Sequence, residues 1–151
     1  MCLGLGGTLA DNTHRRHHVQ GESKDWDAFF EACNEDLPIR QTLWLLYVLL
    51  ERPYHKVEIW SGRSEGEGGS VRRKTEEWIR LHCFFIPGNE PELRMRPHGD
   101  YTPDEELKRR WLHEARAAGR APDIVFDDRA KVVAMWREEG VFCAQVAPGD
   151  F

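Results

Sequence analysis

Hydrophobic positions follow two patterns along the chain: short continuous runs, and longer stretches in which apolar residues recur every third or fourth position. The short runs predict buried strands over residues 1–8, 56–60, 124–126 and 141–146, with shorter strands over 83–86 and 93–96. The periodic stretches predict helices over residues 24–33, 39–51, 71–81, 102–118 and 129–139. Because strands that alternate with helices form parallel sheets covered on both faces, the pattern predicts an α/β fold with a doubly wound parallel sheet.

The connections between these elements are polar, and one of them is long. Residues 9–23 and 64–70 lack periodicity and are expected to form loops, while Arg52 and Pro53 are expected to end the second helix. Residues 1–151 are expected to form a single domain. Residues 12–53 are longer than a simple crossover requires, so we expect a small helical cap or insertion within them.

The composition restricts the compartment and the kind of partner. The net charge of −5 at pH 7 predicts no general attraction to nucleic acid, although the basic clusters at residues 14–18 and 72–74 could bind a nucleic-acid end. No two of the cysteines have CxxC spacing, which indicates small buried residues of a reducing compartment rather than disulfides or a zinc site. They are Cys2, Cys33, Cys83 and Cys143. The longest apolar run, residues 43–50, is too short to span a bilayer, and Met1 leads directly into a strand, so we expect a cytoplasmic protein without membrane contact.

Polar residues directly follow three of the predicted strands. The first strand ends in glycines and Thr8, the second is followed by Ser61-Gly62-Arg63, and the strand over 124–126 is followed by Asp127-Asp128. Because the carboxyl ends of parallel strands meet at one edge of a sheet, these stretches are expected to form one polar site. Their hydroxyl, guanidinium and backbone N–H groups suit phosphate oxygens.

Each of these stretches also has a simpler interpretation. Asp127 and Asp128 provide the hard oxygen ligands that suit Mg²⁺, but Asp128 could instead cap the helix that begins at Arg129. The Ser61–Arg63 stretch could be an ordinary turn. Lys108 lies one helical turn after Asp104 and could neutralise phosphate charge, although an exposed ion pair worth a few tenths of a kcal/mol is favoured on spacing alone.

Two further patterns are weaker. The histidines at residues 14–18 lack the additional ligands of a zinc-type site, so a solvated basic loop is favoured, and its arginines could equally hold a polyanion. The glycines at residues 4–7 match half of a dinucleotide-binding fingerprint, but Leu9 occupies the place of the third glycine.

Three stretches together carry a family resemblance. Gly7-Thr8-Leu9 matches the tail of a D-x-D-G-T-L motif, Ser61-Gly62-Arg63 matches a second motif, and the closing run over 127–151 is the most specific. With these, the chain resembles the haloacid dehalogenase (HAD) phosphatases and, among them, the 3′-phosphatase domain of phage polynucleotide kinase. The resemblance covers nearly the whole chain and implies a HAD-like, Rossmann-type fold. No kinase P-loop is present in the sequence, so only the phosphatase half is implied.

The first motif departs from the family at both of its acids. In the family, the first Asp attacks phosphorus and binds the metal, and the second is the general acid and base, with a backbone carbonyl that binds Mg²⁺. Here those positions are Gly4 and Gly6. Because glycine offers neither a nucleophile nor an acid, we expect catalysis to be disabled while substrate still binds.

The resemblance also implies roles for the residues that match the other motifs. Thr8 and Ser61 would hold phosphate oxygens, Lys108 would be the third-motif lysine, and Asp127 and Asp128 would bind Mg²⁺. Three more positions match residues that contact the polynucleotide 3′ end or support the site, namely Arg15, Arg63 and Asp104.

The expected function is therefore that of a Mg²⁺-dependent phosphomonoesterase that acts through an aspartyl-phosphate. Its substrate would be a nucleic-acid 3′-phosphate or 2′,3′-cyclic phosphate. A phosphatase of free nucleotides is a close alternative, which a cap over the site would favour, whereas an open face would admit a strand. A catalytically silent module that binds nucleotides or strand ends is the alternative from a different class, and an α/β domain without a ligand is the least favoured.

Overall fold

The computed structural model describes residues 1–52 and 54–149. Its strands are β1 (Cys2–Leu3), β2 (Ala10–Asp11), β3 (Leu37–Pro38), β4 (Glu58–Ser64), β5 (Glu92–Arg96), β6 (Ile124–Asp127) and β7 (Phe142–Gln145). Five of them form a parallel sheet in the order β5-β4-β1-β6-β7, while β2 and β3 form a small antiparallel pair. The three strands whose ends carry the predicted site residues, β4, β1 and β6, are therefore direct neighbours.

Helices cover both faces of this sheet. They are α1 (Trp26–Glu31), α2 (Arg40–Leu50), α3 (Ser70–His82), α4 (Asp104–Ala117) and α5 (Ala130–Glu138), with short 3-10 helices at Thr13–Val19, Ala32–Glu35 and Glu67–Gly69. The predicted doubly wound α/β sheet is thus confirmed. Its parallel strands are joined by helical crossovers, as parallel pairing requires.

Neighbouring residues of the strands face opposite sides of the sheet and build two separate cores. Cys2 and Trp60 pack with α4 and α5, whereas Leu3 and Ile59, the adjacent positions, pack with α2 and α3. This alternation is the period-two geometry of a strand, and it explains why the central strands read as continuous apolar runs. All four cysteines are buried free thiols, and burial raises the pKa of Cys83 to about 12.

Several predicted boundaries differ from the structure. The strand expected over 83–86 does not form; after Cys83 the chain exposes Phe84, and the residues over 92–96 pair with β4 instead. The first strand is only two residues long, because the chain turns at residues 5–10, where Leu5 accepts three backbone hydrogen bonds. Ser61–Arg63 lies inside β4 rather than after it. Pro53, Asp150 and Phe151 lie outside the described residues.

The long connection over 12–53 has two parts that do different things. Its second part, α2, packs on the sheet through Leu46 and Leu50 and belongs to the core. Its first part, residues 12–30, lines the cavity described below, so only this part lies where a cap was expected. In the described ranges, no helix has both the length and the apolar character needed to cross a bilayer.

Candidate active site

The carboxyl ends of β4, β1 and β6 open into a cavity of about 740 Å³. The predicted site residues that line it are Gly4, Gly6, Arg15, Ser61, Arg63, Asp104, Lys108, Asp127 and Asp128. Thr8 does not line the cavity, because its side chain is buried one layer behind it. Its expected contact with phosphate oxygens therefore has no direct geometric support, whereas the other residues are in place around one volume.

The turn after β1 brings the backbone close to the acidic pair. Gly4 N donates to Phe126 O at 2.8 Å, which ties the start of this turn to β6. At Gly7, with φ of 81°, a Cβ atom would lie 2.0 Å from Asp128 Oδ2. Glycine is needed here for the left-handed backbone and for the close approach of the carboxylate.

Asp128 is held on one side and left unpaired on the other. Thr8 Oγ1 donates to its Oδ1 at 3.0 Å, but its Oδ2 is buried without a hydrogen-bond partner. Burial, and after it the charge of Asp127, raises the pKa of Asp128 to about 6. An orphaned buried carboxylate oxygen is costly unless a cation or donor meets it, so this oxygen fits a metal ligand better than a helix cap. The structure also assigns no side-chain cap to α5.

Lys108 links two acids beneath the cavity. Its Nζ lies 2.8 Å from Asp127 Oδ2 and 3.4 Å from Asp104 Oδ2. Burial alone would lower the pKa of Lys108, but the charges of Asp104 and Asp127 outweigh it and raise the pKa above its ordinary value. The ion pair with Asp104 at four-residue spacing is therefore present, but it is buried rather than exposed.

Asp36, which the sequence did not single out, organises two arginines at the wall of the cavity. Arg15 donates Nε and Nη2 to its two carboxylate oxygens at 2.6 and 2.7 Å, and Arg63 Nη2 donates to Oδ2 at 2.8 Å. His14 Nε2 lies 3.0 Å from the same carboxylate. The expected solvated loop at 14–18 is thus wrong for Arg15, which is only 1% exposed within a 3-10 helix. Two guanidinium groups on one carboxylate leave a net positive charge for an anion.

A second contact that the sequence did not reveal supports Asp104. Its Oδ1 would lie 1.9 Å from a Cβ at Gly62, so only glycine at that point of β4 lets the carboxylate pack there. Arg96 Nη2 and Arg129 Nη1 approach Asp104 at 3.6 and 3.5 Å, and both arginines line the cavity. Arg96 is the last residue of β5, and Arg129 follows β6 closely. Their positions at the carboxyl ends of strands could have identified them from the sequence.

The donor set at the site is compatible with Mg²⁺. Among the described residues, no group of three or more His, Cys, Asp or Glu side chains is arranged to hold a metal ion. Asp127 and Asp128 nevertheless supply two carboxylates beside the cavity, and one oxygen of Asp128 lacks a partner. Mg²⁺ commonly uses one or two protein carboxylates, with waters and substrate phosphate completing its shell.

Comparisons with known proteins give the site a context. A family model described as the polynucleotide kinase PNKP phosphatase domain matches residues 2–151. A chain in the solved structure of the Pnkp1/Rnl/Hen1 RNA repair complex is 26% identical, with a TM-score of 0.74 over 99% of this chain. A chain in a structure of the Pnkp1/Rnl/Hen1 complex is 27% identical, with a TM-score of 0.74 over 100% of this chain. The chain spans only 42% and 46% of the lengths of those two chains.

Proposed function

The chain belongs to the polynucleotide kinase PNKP phosphatase-domain family, and from this premise we propose that its cavity binds the phosphorylated 3′ end of a nucleic acid. The ancestral activity would be Mg²⁺-dependent removal of a 3′-phosphate or 2′,3′-cyclic phosphate through an aspartyl-phosphate. The RNA repair complexes that contain similar chains support a nucleic-acid end as substrate. With Gly4 and Gly6 in the first motif, this chain would bind the end and scarcely turn it over.

The observation that carries the proposal is the charge that surrounds the cavity. Seven lysines and arginines line it against five aspartates, although the whole chain has a net charge of −5. The excess of cations supports an anionic ligand at this point despite the negative net charge. Lys108 and Arg63, which are buried and line the cavity together with Ser61, would hold the phosphate by charge-assisted hydrogen bonds.

In a protein with both acids restored, the chemistry would divide into two displacements. The carboxylate introduced by Gly4→Asp would form a bond to phosphorus while the bond from phosphorus to the 3′ oxygen breaks, and the acid introduced by Gly6→Asp would give that oxygen its proton. The Gly6→Asp carboxylate would then take a proton from water as the water oxygen bonds to phosphorus. The bond from phosphorus to the carboxylate introduced by Gly4→Asp breaks, which releases inorganic phosphate and frees that carboxylate. The carboxylates of Asp127, Asp128 and the Gly4→Asp side chain, with the backbone carbonyl of residue 6, would hold Mg²⁺, whose charge would offset that of the phosphate.

In the unchanged chain, neither displacement has its reacting group. By analogy with a serine protease, in which removal of members of the catalytic triad costs on the order of 10⁴–10⁶ in rate, turnover here should be very low. Phosphate binding should be retained, because glycine at residue 4 also lacks the negative charge that would face the phosphate. Mg²⁺ is expected to bind more weakly, since Gly4 removes one carboxylate ligand.

The test restores the two carboxylates and compares them with uncharged side chains of the same shape. A Cβ at Gly4 would lie 2.8 Å from Thr8 Oγ1 and 3.3 Å from Asp127 Oδ2, so the Thr8 hydroxyl must rotate for any side chain there. A Cβ at Gly6 would lie 3.2 Å from Asn12 Nδ2. The matched control is therefore Gly4→Asn with Gly6→Asn, which meets the same contacts without a nucleophile or acid.

Both double variants and the unchanged chain are assayed with Mg²⁺ on a 3′-phosphorylated oligonucleotide, a 2′,3′-cyclic end and free 3′- and 5′-nucleotides. We expect phosphate release from the strand ends by Gly4→Asp/Gly6→Asp alone. Release from free nucleotides only would replace the strand-end substrate with the free-nucleotide alternative. A folded restored protein that hydrolyses none of these ligands would refute the phosphatase proposal.

A catalytically silent end-binding module remains a second candidate because of one contact. Thr8 Oγ1 occupies the space that a side chain at residue 4 needs, and it is already engaged by Asp128. Side-chain packing that already fills the space beside Gly4 favours a binding role. This candidate predicts salt-dependent binding of strand ends without turnover, even after both aspartates are introduced.

A further inference from the structure

Two aromatic side chains at the rim of the cavity have no part in the phosphate site. Trp26 is 47% exposed and Tyr101 is 92% exposed, and both line the cavity. Other large apolar side chains that are exposed in the described ranges, such as Trp44 and Phe84, lie away from it. Exposed rings that line a cavity beside cations offer flat faces on which the rings of a ligand can stack.

Trp26 is a rigid platform joined to the arginine cluster. Its ring stacks on Phe30 with centroids 5.9 Å apart and an angle of 29°, and it meets Phe29 edge-on at 5.8 Å. Phe29 is buried, and its carbonyl oxygen accepts a hydrogen bond from Arg15 Nη1 at 2.7 Å. The guanidinium carbon of Arg15 lies 4.2 Å from the centre of the Phe29 ring. The exposed indole is therefore fixed in position relative to Arg15.

Tyr101 is presented by a turn that is held on both sides of it. Thr102 N donates to Asp100 Oδ1 at 2.9 Å, and Arg110 Nη2 donates to Asp100 Oδ2 at 2.7 Å. Arg96 donates to the carbonyl oxygens of both Asp100 and Thr102. The backbone at Tyr101 is thus anchored while its ring is open to solvent, and Arg96 ties this turn to the floor of the cavity through Gly62 O at 2.7 Å.

Cations accompany the two rings at the rim. Lys24 Nζ lies 5.9 Å from the centre of the Trp26 ring, and Arg16 and His98 also line the cavity. Single-stranded nucleic acid is bound by this combination, in which bases stack on aromatic rings and cations follow the sugar-phosphate backbone. A free nucleotide whose phosphate occupies the inner site offers one base, whereas a strand offers several.

We propose that Trp26 and Tyr101 stack the nucleobases next to a strand's terminal phosphate, and so select a single-stranded 3′ end over a free nucleotide. The inference rests on the proposed function, because the terminal phosphate must occupy the inner site. On this inference, the rings at the rim make the affinity depend on strand length, whereas the buried charged residues recognise the phosphate.

The experiment measures binding of inorganic phosphate and of 3′-phosphorylated oligonucleotides of increasing length, starting from the mononucleotide, to the unchanged chain. Trp26→Leu and Tyr101→Leu remove each ring, while Trp26→Phe and Tyr101→Phe keep an aromatic face. Trp44→Leu is the matched control, since Trp44 is 77% exposed and does not line the cavity. Unchanged affinity for inorganic phosphate shows that Arg15 and the inner site remain intact in each variant.

We expect affinity to rise with length, and each leucine variant to bind the longer oligonucleotides roughly 5- to 150-fold more weakly. The phenylalanine variants should stay close to the unchanged chain. Affinity that is independent of length, or losses no larger than that of Trp44→Leu, would overturn the inference.

The same variants in the Gly4→Asp/Gly6→Asp background separate this inference from the proposed function. If kcat/KM is the same for all oligonucleotide lengths, with or without the rings, the phosphatase proposal stands and the proposed selection by Trp26 and Tyr101 is refuted. If the unchanged chain binds neither phosphate nor oligonucleotide, and the Gly4→Asp/Gly6→Asp variant releases no phosphate from any oligonucleotide, both the inference and the proposed function are overturned.

Discussion

Replacing Asp128 with asparagine tests whether the acidic pair after β6 is a cation site. Asp128 Oδ1 accepts a hydrogen bond from Thr8 Oγ1 at 3.0 Å, and Oδ2 is buried without a partner. Burial, with a smaller effect of the Asp127 charge, raises the pKa of Asp128 from 3.8 to about 6. Asparagine keeps the acceptor for Thr8 and removes the charge.

The sign and size of the effect follow from this pKa. A raised pKa means that the native state binds the proton more tightly than the unfolded state, so stability present below about pH 4 is lost as the pH rises through about 6. A shift of roughly two units corresponds to at most about 3 kcal/mol at neutral pH. We therefore expect Asp128→Asn to match the unchanged chain near pH 4 and to exceed its unfolding free energy by about 1–3 kcal/mol near pH 7.

The assay is urea unfolding of both proteins across this pH range, first with a chelator and then with millimolar Mg²⁺. The difference between the two proteins at each pH cancels the contributions of other titrating groups. Mg²⁺ should stabilise the unchanged chain and have a smaller effect on Asp128→Asn. A stability difference that does not change with pH would refute the argument from burial, and equal stabilisation of both proteins by Mg²⁺ would exclude Asp128 as a ligand.

Three further substitutions test the buried charges. Lys108→Met should cost about 3–5 kcal/mol of unfolding free energy at neutral pH, because it takes the Lys108 cation away from the buried carboxylates of Asp104 and Asp127; urea titrations of the variant and the unchanged chain check this. Gly62→Ala should lower the free energy of unfolding by about 1–3 kcal/mol, because its Cβ would lie 1.9 Å from Asp104 Oδ1. The control Gly6→Ala, whose Cβ would lie 3.2 Å from Asn12 Nδ2, should cost less, and thermal unfolding of both variants checks this. Asp36→Asn should weaken phosphate binding in calorimetric titrations, since the arginines lose the carboxylate that orients them, and retained affinity would contradict this role.

The strand-end site could be predicted from the sequence because two simple rules are enough to place it. Apolar runs identified β1, β4 and β6, and the convergence of parallel strand ends at one edge then brought Ser61 and Asp127 together around Gly4. The rule needs only the order and direction of the strands, so an error of a few residues in a predicted strand boundary does not change which residues meet. The site therefore formed although Ser61 lies within β4 and although β1 is only two residues long.

The supporting contacts could not be predicted in the same way, because they join residues that are distant in the sequence. Asp36 stands in a polar stretch that looks like a helix break, and its partners Arg15 and Arg63 are 21 and 27 residues away. The approach of Asp104 to Gly62 likewise depends on how α4 packs against β4. The strand expected over 83–86 was wrong because a short apolar run does not reveal whether its side chains are buried, and Phe84 is exposed.

Under the proposed function, Gly4 and Gly6 stand at the positions of two acids, and their lack of charge alters the charge balance of the cavity as well as its chemistry. Among the residues that line the cavity, seven lysines and arginines face five aspartates, so introducing both acids would make these lining charges equal in number. A neutral cavity needs Mg²⁺ to attract a phosphate, whereas the present one has surplus cations of its own. We therefore expect phosphate to bind the unchanged chain with little dependence on Mg²⁺, and the Gly4→Asp/Gly6→Asp variant with a strong dependence, in calorimetric titrations with and without the metal. Equal dependence in both proteins would mean that the restored carboxylates are already balanced by Lys108 and its neighbours, and not by the metal.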